Sequence, residues 1–84
     1  MFYTYVLQSE SDKKHYMGYT KELKRRIDEH NNGLVTSTAN RRPLKLIYYE
    51  ACLDKNDSIK REKYLKSYHG KMFLKGRLKS YLTG

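Results

Sequence analysis

Eighty-four residues allow one domain with a modest core, and positions 1–84 read as a single unit without linker, repeat or low-complexity tract. Eighteen Lys and Arg against nine Asp and Glu leave a net charge of +9, which suits a polyanionic partner, nucleic acid first among them. The one cysteine, Cys52, excludes an internal disulfide and a cysteine-based zinc site.

The first strand is expected at Phe2–Gln8, where aromatic and branched residues alternate, with Tyr3, Tyr5 and Leu7 on one face and Phe2, Thr4 and Val6 on the other. Phe2–Leu7 is also the longest apolar-leaning run near the start and is far too short to span a bilayer, so the chain reads as soluble, intracellular and cytoplasmic, with no membrane partner. A polar turn over Ser9–Lys14 leads to a second short strand at His15–Tyr19, paired with the first as an antiparallel hairpin. Gly18 weakens that strand unless something must approach its backbone closely. Thr20 is the expected N-cap of a helix that stops at Asn31-Asn32-Gly33, with Leu23, Ile27 and His30 on its apolar face and Arg26 at the border.

Leu34–Pro43 reads as a polar, basic loop, and Leu44–Glu50 as a third strand. Cys52, just beyond it, is expected as a buried, inert thiol. A second helix is expected to begin near Asn56-Asp57 and end near His69-Gly70, followed by a last helix over Lys71–Leu82. The predicted architecture is α+β: a three-stranded antiparallel sheet flanked by helices in the order β-β-α-β-α-α. Ala, Val, Ile, Leu, Met, Phe, Cys and Gly supply only 28 of the 84 residues, so the nine tyrosines must furnish much of the core.

Charge is uneven along the chain. Residues 1–54 carry 9 basic and 7 acidic side chains; residues 55–84 carry 9 basic and 2 acidic. An anionic membrane surface or a ribosome-associated role would produce the same imbalance. Within the basic segment Glu62 stands out, because its nearest neighbours on the helical wheel are Ile59 and Leu65. A carboxylate in an apolar arc is costly unless it is paired or holds a cation. Two readings stay open: an ion pair at the edge of the core, with Arg26 as one partner, or a ligand for a single divalent ion. A lone carboxylate suits Mg2+ or Mn2+, whose shells are completed by water and substrate phosphate.

Arg26 offers a planar, permanent charge for a phosphate, or else a surface pair with Glu22 or Glu29. Tyr16 is a candidate proton acceptor, although a phenol titrating near 10 needs about 4 kcal/mol of help to act near pH 7. Tyr5 could face it across the hairpin, or the two could form only a packing pair. Arg41, Arg42, Lys66 and Lys71 are candidate nucleic-acid contacts that would hold phosphates without reading bases.

Taken in order, Tyr3-Thr4-Tyr5, Tyr16-Met17-Gly18, Arg26, His30 and Glu62 resemble the GIY-YIG nuclease family, most closely its small single-domain bacterial members. Gly18-Tyr19-Thr20, Arg25-Arg26-Ile27, His30-Asn31, Gly33, Arg42-Pro43-Leu44, Tyr49-Glu50, Arg61-Glu62 and Leu65-Lys66 continue the likeness. The chain departs from the signature at Tyr3, where GIY has glycine, and at Thr4 and Met17, none of which carries a proposed catalytic group. The resemblance implies a metal-dependent DNA endonuclease acting in repair or processing, on DNA that includes branched or single-stranded regions. By the same likeness Glu62 would hold one Mg2+ or Mn2+, Arg26 would stabilise the transition state and Tyr16 would accept the proton of the attacking water. Tyr5 and His30 would orient that network. The alternatives are a catalytically weak or inactive nucleic-acid-binding module of the same fold, and a structural basic protein associated with RNA.

Overall fold

A computed structural model describes all residues, Met1–Gly84. The strands are β1 (Phe2–Ser9), β2 (His15–Thr20) and β3 (Leu44–Cys52), and the helices are α1 (Leu23–Asn31), α2 (Lys55–Lys66), α3 (Tyr68–Arg77) and α4 (Lys79–Thr83). The sheet is antiparallel throughout in the order β2-β1-β3, so the hairpin's first strand is central. The α+β class and the order β-β-α-β-α-α hold, with the last helix broken in two at Leu78. No helix is long and apolar enough to cross a membrane.

The central position of β1 follows from its composition. It is the strand buried on both faces, with Thr4, Tyr5, Val6 and Leu7 all at or below 2% exposure, and its two faces feed two small cores. Val6 and Met17 pack with Leu65 of α2 and Leu74 of α3 on one side; Tyr5, Leu7 and Leu44 pack with Leu23 and Ile27 of α1 on the other. Only eight hydrophobic residues are buried, so polar devices hold the layers together. Thr4 Oγ1 meets both the carbonyl and the hydroxyl of Ser58 at 2.9 Å, fixing α2 over β1. Arg61 donates to both carboxylate oxygens of Glu50 on β3 (2.9 to 3.1 Å) and stacks on the rings of Tyr64 and Phe73. That arrangement shares one guanidinium between β3, α2 and α3.

The stop of α1 is the expected one. Gly33 takes φ +76, Leu34 N–H donates to the Glu29 carbonyl and Gly33 N–H to that of His30, a Schellman closure. Its start is different. Glu22 occupies the N-cap position with no side-chain cap bond, and Thr20 Oγ1 accepts from Glu22 N–H two residues on, making a turn rather than a cap. The expected loop contains a 3-10 helix over Thr36–Arg41. Helix α2 begins at Lys55, capped two residues ahead of the expected pair by Asp54, which accepts from Asn56 N–H, and ends at Lys66. Ser67 then caps α3 by accepting from Gly70 N–H, so the helix boundary lies ahead of His69-Gly70 and not after it. Cys52 is half-buried at the end of β3, its Sγ donating to the Asp54 carbonyl at 3.4 Å, and not fully buried as expected.

Candidate active site

Hairpin register decides which tyrosines meet. Tyr5 pairs with Gly18 and Leu7 with Tyr16, so Tyr5 and Tyr16 are diagonal neighbours on one face instead of direct partners, with ring centroids 6.4 Å apart. The glycine makes room for the ring. A Cβ on Gly18 would fall onto the Tyr5 hydroxyl and lie 2.6 Å from Cζ, so a side chain there would evict Tyr5 from its seat. Gly18 is therefore the close-approach position that its place in a strand suggested, and what approaches is Tyr5.

Helix α1 brings His30 over this pair. His30 is fully buried; Nε2 lies 2.9 Å from the Tyr5 hydroxyl and Nδ1 2.7 Å from Thr38 Oγ1 in the 3-10 helix. The Tyr16 ring meets the His30 ring edge-on at 5.0 Å. Burial pushes the Tyr5 phenol up to about 12, with the charge of Arg26 pulling the other way, so it keeps its proton. Burial, helped by Arg26, holds His30 down to about 4, so the imidazole is neutral at pH 7. Thr38 donates to the Val35 carbonyl at 3.4 Å, which leaves its oxygen to accept from Nδ1–H. The chain of donors then runs one way, from Tyr5 to His30 to Thr38 to Val35, and assigns the His30 proton to Nδ1.

Two expected results follow. Above pH 6.5 the folded and unfolded imidazoles are both neutral and His30 costs nothing. Between 6.5 and about 4 the unfolded chain binds a proton that the folded chain refuses, so stability falls as the pH drops, by about 3 kcal/mol in all. An NMR titration of the His30 ring should show its midpoint near 4; a midpoint near 6.5 would remove this source of acid sensitivity. Thr38→Val keeps the shape but strands a buried Nδ1–H, and should cost about 1–3 kcal/mol in urea unfolding. Thr38 was visible in the sequence only as one hydroxyl in a polar loop, with nothing to mark it as the partner of His30.

Arg26 pairs with Glu29 at 3.0 Å while keeping its side chain 36% exposed, and that bond together with nearby Tyr5 strengthens its hold on its charge. Glu62 lies one turn beyond Ser58 on α2, so the buried Thr4–Ser58 contact sets its height above the sheet. Its side chain is 15% exposed and its partner is Lys66 at 3.3 Å, not Arg26. The fields of Arg26, Tyr16 and Glu62 all act on the Tyr5 hydroxyl, so these residues share one neighbourhood. No group of three His, Cys, Asp or Glu side chains is gathered anywhere to cage a metal. A single accessible carboxylate edge nevertheless fits a hard divalent ion that takes its remaining oxygens from water and phosphate.

The four basic residues expected to hold nucleic acid divide into two pairs. Arg41 is 25% exposed and committed internally, with Nη2 on the His15 carbonyl at 3.3 Å and Nε 3.6 Å from Asp12. Arg42 donates to the Ala39 carbonyl at 2.8 Å and lays its guanidinium over Gly33. Lys66 and Lys71 instead line one groove with Tyr16.

The model of the GIY-YIG catalytic domain family matches residues 1–79, a span that includes Tyr5, Tyr16, Arg26, His30 and Glu62. The chain belongs to that family, a superfamily of nucleases that generally use divalent metal ions and act on DNA. Among its relatives is a UPF0213 protein of Pediococcus acidilactici, 39% identical over 77 residues that span 88% of this chain and 78% of that one. A UPF0213 protein of Staphylococcus saprophyticus is 36% identical over 74 residues, 87% and 89% of the two chains. The solution NMR structure of a UPF0213 protein from Bacillus halodurans is similar in fold, with TM-score 0.54, 32% identity and coverage of 88% of this chain and 82% of that one.

Proposed function

We propose that this chain is a divalent-metal-dependent endonuclease that hydrolyses phosphodiester bonds in DNA, with a role in DNA repair or processing. What carries the reading is the neighbourhood of Tyr5, where a protonated phenol bonds a neutral imidazole and feels the charges of Arg26 and Glu62. Tyr5 is 1% exposed and its proton is committed to His30, so its role is to hold the His30 ring and the floor of the site. Tyr16 is half-buried on the same floor and is the phenol a substrate can reach, which suits it to accept the proton of an attacking water. Arg26 would stabilise the negative charge that grows on the phosphate oxygens. Glu62 would hold Mg2+ or Mn2+, which when bound polarises the phosphate and favours attack by water.

Nicking of supercoiled plasmid in Mg2+ or Mn2+, abolished by EDTA and by Glu62→Gln, is the expected result; no cutting of any DNA under these conditions would overturn the reading. The Lys66–Glu62 pair favours a second one, a binding module in which Glu62 is merely an ion-pair partner. In that case Glu62→Ala would tighten DNA binding, as it would on either reading, but no variant would change a cutting rate.

A further inference from the structure

A groove of about 790 Å3 lies between the end of the β1–β2 hairpin and helices α2 and α3. Its walls carry Lys13, Lys14, Lys66, Lys71 and Lys75 and no carboxylate. Lys66 is paired with Glu62, but the other four ammonium groups around this concavity repel one another unless a polyanion occupies it. Lys13 reaches it from a backbone position at φ +64, where glycine or asparagine would be easier. Among the lysines stand two apolar surfaces one helical turn apart, Tyr68 at 72% and Met72 at 48% exposure, with the Tyr68 ring steadied edge-on by His69 at 5.4 Å.

Phosphate alone has no use for an exposed phenol ring. A duplex keeps its base faces stacked on one another, whereas a single strand offers them to an aromatic platform. An anionic bilayer would also accept lysines and apolar side chains, but it needs a surface that can lie flat against it, not a concavity. The groove is also continuous with the candidate site from two elements. Tyr16 lines it and touches His30, and Lys66 lines it and pairs with Glu62.

We propose that this groove is the track for a single strand of DNA entering or leaving the candidate site, with Tyr68 as the stacking platform for one base and the lysines as its phosphate contacts. The inference rests on the nuclease reading for what lies at the end of the track. Its substrate is accordingly DNA with a single-stranded arm or gap, and the strand passes between Tyr16 and Glu62.

The test is fluorescence anisotropy of the whole chain in EDTA, where nothing is cut, with a labelled oligothymidine and a hairpin duplex of equal nucleotide number. The wild type should bind the single strand more tightly than the duplex. Tyr68→Ala should weaken single-strand binding about 5- to 150-fold and duplex binding less than twofold, and Tyr68→Phe should bind as the wild type does. The pair Lys71→Gln and Lys75→Gln should lower the salt dependence of single-strand binding by about 1.4 in log–log slope. Equal losses on both substrates in Tyr68→Ala, tighter binding to the duplex, or preference for oligouridine would overturn the proposal. So would co-sedimentation with phosphatidylserine vesicles without oligonucleotide binding. Because no metal is present, these outcomes are independent of the plasmid assay, and either reading can fail without the other.

Discussion

Glu62→Gln is expected to lower plasmid nicking in Mg2+ by at least about a hundredfold while leaving the fold and its melting temperature nearly unchanged. The substitution keeps the shape of a side chain that is 15% exposed and removes only its charge. The charge is what the proposed chemistry needs, since aimed electrostatic groups in active sites are worth about 10²–10³ in rate. The lost pair with Lys66 is an i,i+4 contact at the surface end of α2, worth no more than about 0.5 kcal/mol. In the same variant DNA binding measured in EDTA should become tighter, because one negative charge has left the edge of a basic groove. A Glu62→Gln protein that nicks at the wild-type rate would sink the assignment of this carboxylate and, with it, the role given to the metal.

The second large effect is structural. Gly70 sits in the first turn of α3, where the two helices cross so closely that a Cβ would collide with the Tyr64 carbonyl oxygen and lie 2.5 Å from the Leu65 Cα. Both are backbone atoms of the last turn of α2, and neither can swing aside. Gly70→Ala must therefore push α3 away from α2, opening the core around Leu65 and Leu74. A loss of about 3 kcal/mol is expected, which in a domain of this size lowers the melting temperature by roughly 12–24 °C. A shift within about 2 °C would mean that the helices are free to separate and that the crossing is not fixed by this contact. Any variant that survives should also bind single-stranded DNA poorly, because α3 carries Tyr68, Lys71 and Lys75.

The same glycine explains where reading the sequence went astray. Gly70 after His69 looks like the end of a helix, and in this chain it is inside one, placed there by a neighbouring backbone. The true boundary is Ser67, whose hydroxyl caps α3, but a serine between Lys66 and Tyr68 carries no local signal strong enough to outweigh a glycine. The strands were legible because alternation and the paired tyrosines leave few alternatives, and Asn32-Gly33 stopped α1 as such pairs do. Thr20 failed as a cap for a subtler reason: its hydroxyl reaches the same backbone donor from a turn as from a cap, and the sequence is identical in both cases.

For the site, motif order picked out Tyr5, Tyr16, Arg26, His30 and Glu62, but not how they act on one another. That Tyr5 bonds His30 while Tyr16 only touches it depends on strand register. The partner of His30, Thr38, is eight positions away in a segment with no periodicity. Arg41 and Lys71 looked alike as basic side chains; one lies against a carbonyl and an aspartate, the other opens onto a groove. Only the fold separates them.

Asn31, the last residue of α1, holds Leu44 by both backbone groups, accepting from its N–H at 2.8 Å and donating to its carbonyl at 3.0 Å. A side-chain amide there imitates the peptide of a fourth strand, filling one rung on the outer edge of β3. Strand addition by another chain is blocked at that rung, next to His30, where an intruding backbone would prise α1 off the sheet. Exchange of the Leu44 amide hydrogen with solvent must wait until its bond to Asn31 Oδ1 opens, and the second bond of the same amide holds that acceptor in place, so a position at the beginning of an edge strand should exchange more slowly than an unpaired edge amide.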